Sequence, residues 1–255
     1  HTAVLYGGLQ YDMDDTAMEN EAKKYDLDNL FAQRGDMARG DSVYHELQGT
    51  KEEIFRIYTI LKGKKWNVVP YMGTDGTEES FLAMHGKSPR LLHLATHGFY
   101  YTPSKAADVN YLKGYTDAMS LSGLVLSGGN AAWLGKKLPK GVLGGILTAN
   151  DIARLDLSNT DMVVLSACQT GQGKATSEGL YGLQRAFKKA GVGTIVMSLW
   201  NVDDRVTSEF MATFYERLTD KANALDKRKA FEEAKQIVRK NHPDPYHWAA
   251  FVMLD

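Results

Sequence analysis

Residues 161–199 read DMVVLSACQTGQGKATSEGLYGLQRAFKKAGVGTIVMSL. Asp161 to Ala167 is a near-continuous apolar run, the pattern of a strand buried on both faces. Downstream, Leu180, Leu183, Ala186 and Phe187 recur at helical spacing on one face. Gly191 marks the end of that helix, and Thr194 to Leu199 is a second strand of the buried kind. Strand, helix, strand predicts a parallel βαβ unit.

The same alternation extends in both directions. Thr2 to Tyr6 reads as a first strand ending at Gly7-Gly8. Ile54, Ile57, Tyr58 and Leu61 make a helical stripe, and Thr50 followed by Glu53 predicts a capping box at its start. Trp66 to Tyr71 is a strand, Glu78 to Met84 a short helix, and Arg90 to Thr96 a strand ending at His97-Gly98. Two amphipathic helices, one carrying Phe210, Met211, Phe214 and Leu218 and the other Phe231, Ala234, Ile237 and Val238, precede an apolar tail at Trp248 to Leu254. The whole predicts an α/β protein with a mainly parallel sheet. Residues 11–50 are polar and read as a mobile or helical excursion; Asp12, Asp14 and Asp15 within it read as a solvated acidic turn, lacking the spacing of a calcium loop. Residues 101–140 read as loop around one apolar segment, Leu121 to Leu126.

Bulk properties narrow the classes. The 255 residues carry a formal net charge of -1, which gives no global field for nucleic acid or an anionic membrane surface. No apolar run approaches the roughly 18 residues of a membrane span. The single cysteine excludes an intrachain disulfide and fits a reducing, cytoplasmic setting. A chain that begins at His1 reads as a piece of something longer.

In parallel sheets reactive groups collect at the carboxyl ends of strands. His97 and Cys168 both fall there. A thiol needs ionising, and an imidazole can take its proton and later protonate a leaving amine. Gly98 has no side chain, so its amide and that of Cys168 can face a developing oxyanion. Spacing alone equally allows Cys168 to be a small buried residue and His97 a hydrogen-bonded turn residue. His93 lies four residues before His97 on the same predicted strand face; at roughly 13 Å the two cannot share a metal ion, so His93 reads as a buried structural histidine. Gly171-Gln172-Gly173-Lys174 lacks the glycine and the Ser or Thr of a phosphate loop.

Five ordered blocks carry more. They are His93-Leu-Ala-Thr-His-Gly-Phe99, Ser122-Gly-Leu-Val-Leu-Ser127, Val164-Leu-Ser-Ala-Cys-Gln-Thr-Gly171, Ser198-Leu-Trp-Asn-Val-Asp-Asp204 and Trp248-Ala-Ala-Phe251. Together they resemble the CHAT domain, a caspase-like (clan CD) cysteine peptidase family related to separase, from about residue 45 to the end, with residues 1–44 as an N-terminal strand and polar excursion of the same domain. The resemblance implies a caspase-like sheet flanked by helices on both faces, no cofactor or metal, and peptide hydrolysis by a Cys168–His97 dyad. It implies an acid accepting a basic P1 side chain, here Asp204 with Asp203 as neighbouring alternative, Trp200 as pocket wall and Ser166 as a further lining residue. The same two aspartates read independently as a helix cap, and Glu178 as a helix N-terminal acid. Asn150-Asp151 departs from a more usual acidic pair. The resemblance also implies a protein or peptide substrate and an upstream TPR-like regulatory region. A non-catalytic scaffold and a thiol acyltransferase or esterase are the competing readings. Lys105, Lys113, Lys136, Lys137 and Lys140 are the expected points of any self-cleavage.

Overall fold

The computed structural model describes residues 1–27, 40–101, 119–166 and 177–255, the side chains of 177–180 aside. Its apolar runs form a sheet of six described strands in the order β2-β1-β3-β7-β8-β9. These are β1 Thr2–Leu9, β2 Asn67–Gly73, β3 Leu91–Leu94, β7 Met162–Leu165, β8 Thr194–Ser198 and β9 Phe251–Leu254. All neighbours run parallel except β9, which returns antiparallel to β8. β2 contains Pro70, which has no N–H to give to a ladder, and it lies at an edge. A second sheet holds β4 His97–Tyr100, β5 Ser122–Val125 and β6 Ile146–Thr148, all antiparallel.

Side chains alternate across the main sheet. Leu92, Leu94, Val163 and Leu165 pack into one core with Leu183, Ala186 and Phe187 of helix α6 (Ser177–Lys189) and with the second sheet. Leu91, Ala95, Met162 and Val164 pack into the other, against α2 (Gln48–Gly63), α7 (Asp204–Leu218) and α8 (Lys227–Asn241). There Phe210 stacks flat on Phe251 at 3.9 Å between ring centroids. Each fully buried aromatic of this kind stabilises the fold by about 1.5–3 kcal/mol. The remaining helices are short: α1 Asp15–Ala22, α3 Glu78–Leu82, α4 Gly129–Trp133, α5 Ala149–Ile152 and α9 Pro245–Trp248. The sheet is therefore covered on both faces, as the sequence predicts.

Four expectations change. The strand predicted through Thr96 stops at Leu94, and His97-Gly98 opens β4 in the other sheet. The reason is a tertiary contact: Thr96 Oγ1 donates to Val125 O of β5, which draws the chain off the main sheet. His93 consequently faces α2 and α7 whereas His97 packs on Tyr11 and Tyr44, so the two do not share a face. The capping box at Thr50 and Glu53 is absent: α2 begins after Leu47 with no side-chain cap. Thr50 Oγ1 instead accepts from Gly8 N at 2.9 Å, and Glu53 accepts from His93. Lastly, residues 119–140 are more ordered than a loop, holding β5, α4 and a buried Leu138.

The acidic turn has ordinary duties. Asp14 caps α1 through Ala17 N at 2.8 Å, and Asp12 accepts from Asn130 Nδ2 at 3.0 Å. Asp151 closes a capping box with Thr148. Lys136, Lys137 and Lys140 are exposed, and Lys105 and Lys113 lie outside the described residues.

Candidate active site

Leu94 of β3 and Leu165 of β7 are register partners in parallel strands. His97 and Cys168 each follow three residues later, so both chain segments leave the sheet at the same point along its edge. Ser166 N donates to Leu94 O at 2.9 Å and holds that exit together. Cys168 itself lies outside the described residues.

His97 is 4 % exposed, between the rings of Tyr11 and Tyr44 at 4.8 and 5.0 Å. Its Nε2 meets the carbonyl of His45 at 2.7 Å. A carbonyl only accepts, so the proton sits on Nε2 and the lone pair on Nδ1. Burial lowers the imidazole pKa below 6.5, the His45 carbonyl opposes that shift, and the neighbouring His45 ring adds to it. His97 is thus neutral at pH 7, in the tautomer whose Nδ1 can accept a proton.

The parts holding His97 come from distant stretches. Tyr11 Oη donates to Thr96 Oγ1, whose own hydrogen goes to Val125 O. Burial pushes that phenol up to about 12, so it stays protonated. Asn130 is 1 % exposed and clamps Tyr44 from both sides: Tyr44 N donates to Oδ1 at 2.8 Å and Nδ2 donates to Tyr44 O at 3.0 Å. The His45 carbonyl is fixed one residue beyond this clamp. Sequence reasoning does not reach Tyr11, Tyr44, His45 and Asn130 as site residues; the available signal is three tyrosines, Tyr11, Tyr25 and Tyr44, in a mostly polar stretch.

Gly98 pairs with Leu124. Because Tyr101 N donates to Leu121 O, alternation makes Gly98–Leu124 a non-hydrogen-bonded pair, and the Gly98 N–H points away from β5. A Cβ at this position would meet nothing closer than 3.7 Å, so packing does not demand glycine here.

The other sequence-predicted residues divide by role. Asp203 caps α7, accepting from Arg205 N at 3.0 Å. Asp204 opens the first turn of α7 against Gly49 and makes no hydrogen bond among the described residues. Partial burial, then Asp203 and Glu53, raise its carboxyl above the ordinary value. Trp200 is half-buried, donating Nε1 to Tyr246 O at 2.9 Å with its ring 6.1 Å from that of Tyr246. Ser166 is buried with an Oγ that has no partner among the described residues, and Ser208, one helical turn beyond Asp204, is the same. Ser208 and Tyr246 were not singled out by sequence. The described residues hold no group of three or more metal-ligating side chains, and no helix among them is long and apolar enough to cross a membrane.

Comparison with known proteins agrees with this fold. The family model described as the CHAT domain matches residues 15–255, reaching further back than the five blocks suggest. Tetratricopeptide repeat protein 28 is similar over 111 residues in mouse (Mus musculus, 35% identical) and in human (Homo sapiens, 34%). Those matches cover 43% of this chain and only 4% of the relatives' length. Among solved structures, the Arg specific cysteine proteinase gingipain R aligns over 99% of this chain and 45% of its own, with a TM-score of 0.54 at 10% identity, a likeness of fold.

Proposed function

Because the chain belongs to the CHAT domain family, we propose that it is a cysteine endopeptidase in which Cys168 attacks and His97 carries protons. The observation that carries this reading is His97: buried, neutral, with Nε2 tied to the His45 carbonyl, at the point where the Cys168 segment leaves β7. Attack transfers the thiol proton to His97 Nδ1 and forms the carbon–sulfur bond. The N–H groups of Gly98 and Cys168 receive the oxyanion. Collapse breaks the peptide bond, and Nδ1–H protonates the leaving amine. Water, deprotonated by His97, then opens the thioester and returns the thiol. The His45 carbonyl steadies the transient imidazolium through Nε2–H.

P1 selection falls to Asp204, a carboxylate without a hydrogen-bond partner among the described residues, with Trp200 as wall and the hydroxyls of Ser166 and Ser208 as acceptors for a guanidinium. Asp203, occupied as a helix cap, is the weaker candidate. That gingipain R is described as Arg specific supports a basic P1 in this fold. The tetratricopeptide naming of the relatives supports an upstream TPR-like region that governs access to a protein substrate; residues 1–255 act as one unit, β1 being paired on both sides within the sheet.

The test is a fluorogenic peptide panel differing only at P1 (Arg, Lys, Asp, Asn, Leu), with Cys168→Ala as control. Turnover confined to Arg and Lys, and lost in the variant, supports the reading. No turnover, with no labelling of Cys168 by a peptidyl acyloxymethyl ketone, favours the scaffold alternative. Asp204→Ala is expected to reduce the Arg-over-Leu ratio by about 10²-fold, the loss of one desolvated charge-assisted pair. In the parent chain that ratio fades as pH falls, with a midpoint above the ordinary aspartate value, because Asp204 must be ionised and its pKa is raised. A ratio flat down to pH 4 removes Asp204 from the pocket.

A further inference from the structure

Asp204 packs against a glycine in the first turn of another helix. Gly49 is the second residue of α2, and a Cβ built there would lie 3.1 Å from Asp204 Cβ, 3.3 Å from Cγ and 3.2 Å from Oδ2. These are tighter than ordinary van der Waals contact. The backbone conformation does not require the glycine. Its φ lies outside the left-handed region, so the backbone would accept alanine, and alanine outranks glycine inside a helix. At the other end of the same helix, Gly63 has no atom within 4 Å of its would-be Cβ.

The segment that carries Gly49 also carries the His45 carbonyl. Its ends are fixed by the Asn130 clamp on Tyr44 and by the Gly8 N–Thr50 Oγ1 bond. Thr50 further donates to Leu47 O at 2.7 Å, closing the turn between His45 and Gly49. One short, doubly anchored stretch therefore meets both His97 and Asp204.

We infer that Gly49 is a specificity-positioning residue: by lacking a side chain it lets the Asp204 carboxylate seat against α2, at the depth from which it receives a basic P1 side chain. This rests on Asp204 being the P1 acid. The contacts to Cγ and Oδ2 fall on a side chain that is exposed and has no hydrogen bond to hold it among the described residues, whereas the nearest contact, to Cβ, moves only with the first turn of α7. An added methyl therefore displaces the carboxylate together with the turn that carries it, by a few tenths of an ångström.

The experiment compares equilibrium binding of two peptides, P1 Arg and its neutral isostere P1 citrulline, to the chain carrying Cys168→Ala, by calorimetry. Gly49→Ala, Gly63→Ala and Asp204→Ala are each added, and Tm is recorded. The expected result is a parent preference for Arg that Asp204→Ala removes, that Gly49→Ala cuts by about 3- to 10-fold, as a shift of a few tenths of an ångström implies, and that Gly63→Ala leaves alone. Loss with Asp204→Ala but an unchanged ratio with Gly49→Ala overturns the role of Gly49 and leaves the pocket standing. An unchanged ratio with Asp204→Ala, or no preference in the parent, overturns the pocket and the role of Gly49 with it. A lower Tm in Gly49→Ala with equal weakening of both peptides means structural damage and also overturns it.

Discussion

His97→Ala is expected to lower kcat/KM on a P1-Arg peptide by about 10²–10⁴-fold, the range for removing a positioned acid–base group. The loss should appear in kcat, since His97 moves protons and does not grip substrate. Its pH dependence has a defined sign. The imidazole is held below 6.5 chiefly by burial, so the base form persists to lower pH than for a free histidine. The His97 limb of the parent kcat/KM profile therefore lies below pH 6.5 and should vanish from the residual rate of the variant, leaving only the fall-off that Asp204 sets on a P1-Arg peptide. The same shift acts on stability. A histidine whose folded pKa is depressed contributes fully above its unfolded value and loses that contribution as pH falls below 6.5 toward the folded pKa. Parent and variant should thus differ most at pH 8, and the difference should shrink as pH falls below 6.5. An acid limb at or above 6.5 would mean that His97 is not buried as neutral imidazole in the free enzyme. Retention of the parent rate would remove it from the mechanism altogether.

What made His97 legible was local, and what holds it was not. The apolar runs at β1, β3, β7 and β8 are each continuous in sequence, and a strand buried on both faces has no other way to look. The helix stripes read correctly for the same reason. The break at Ala95-Thr96 could not be read, because its cause is Thr96 bonding to Val125 and Tyr11, far away along the chain. Thr50 and Glu53 have the spacing of a capping box, yet tertiary partners, Gly8 N and His93, claimed both side chains. The stretch 11–50 reads as a polar excursion, and α1 within it is helical. Tyr11, Tyr44 and one backbone carbonyl from it form the cage around His97, and a carbonyl leaves no trace in a sequence at all. Gly49 and Ser208 are invisible for a related reason: each matters only through its place beside Asp204 on packed helices.

The largest stability effect is expected at the other histidine of the same block. His93 is fully buried on β3, with Nε2 3.0 Å from Glu53 Oε1 of α2 and Nδ1 3.0 Å from Tyr215 Oη of α7. The carboxylate can only accept, so Nε2 carries hydrogen and Nδ1 receives the Tyr215 hydroxyl; burial, with Glu53 adding to it, keeps that phenol well above its ordinary pKa and protonated. The imidazole thus joins two helices to the sheet through one satisfied chain of donors. His93→Ala leaves a buried carboxylate and a buried hydroxyl without their partner and opens a cavity beside them. The expected cost is about 3–5 kcal/mol, the scale for breaking a buried ionisable pair on one side only. Tyr215→Phe removes a terminal donor and should cost only about 1 kcal/mol. Replacing Glu53 and His93 together by leucine should recover much of the loss, because no orphaned polar group then remains. Denaturant midpoints at constant m-value measure all three. Additive losses in the double variant would show that the two residues are not coupled, and that α2 is held to the sheet by its apolar stripe of Ile54, Ile57 and Leu61 alone.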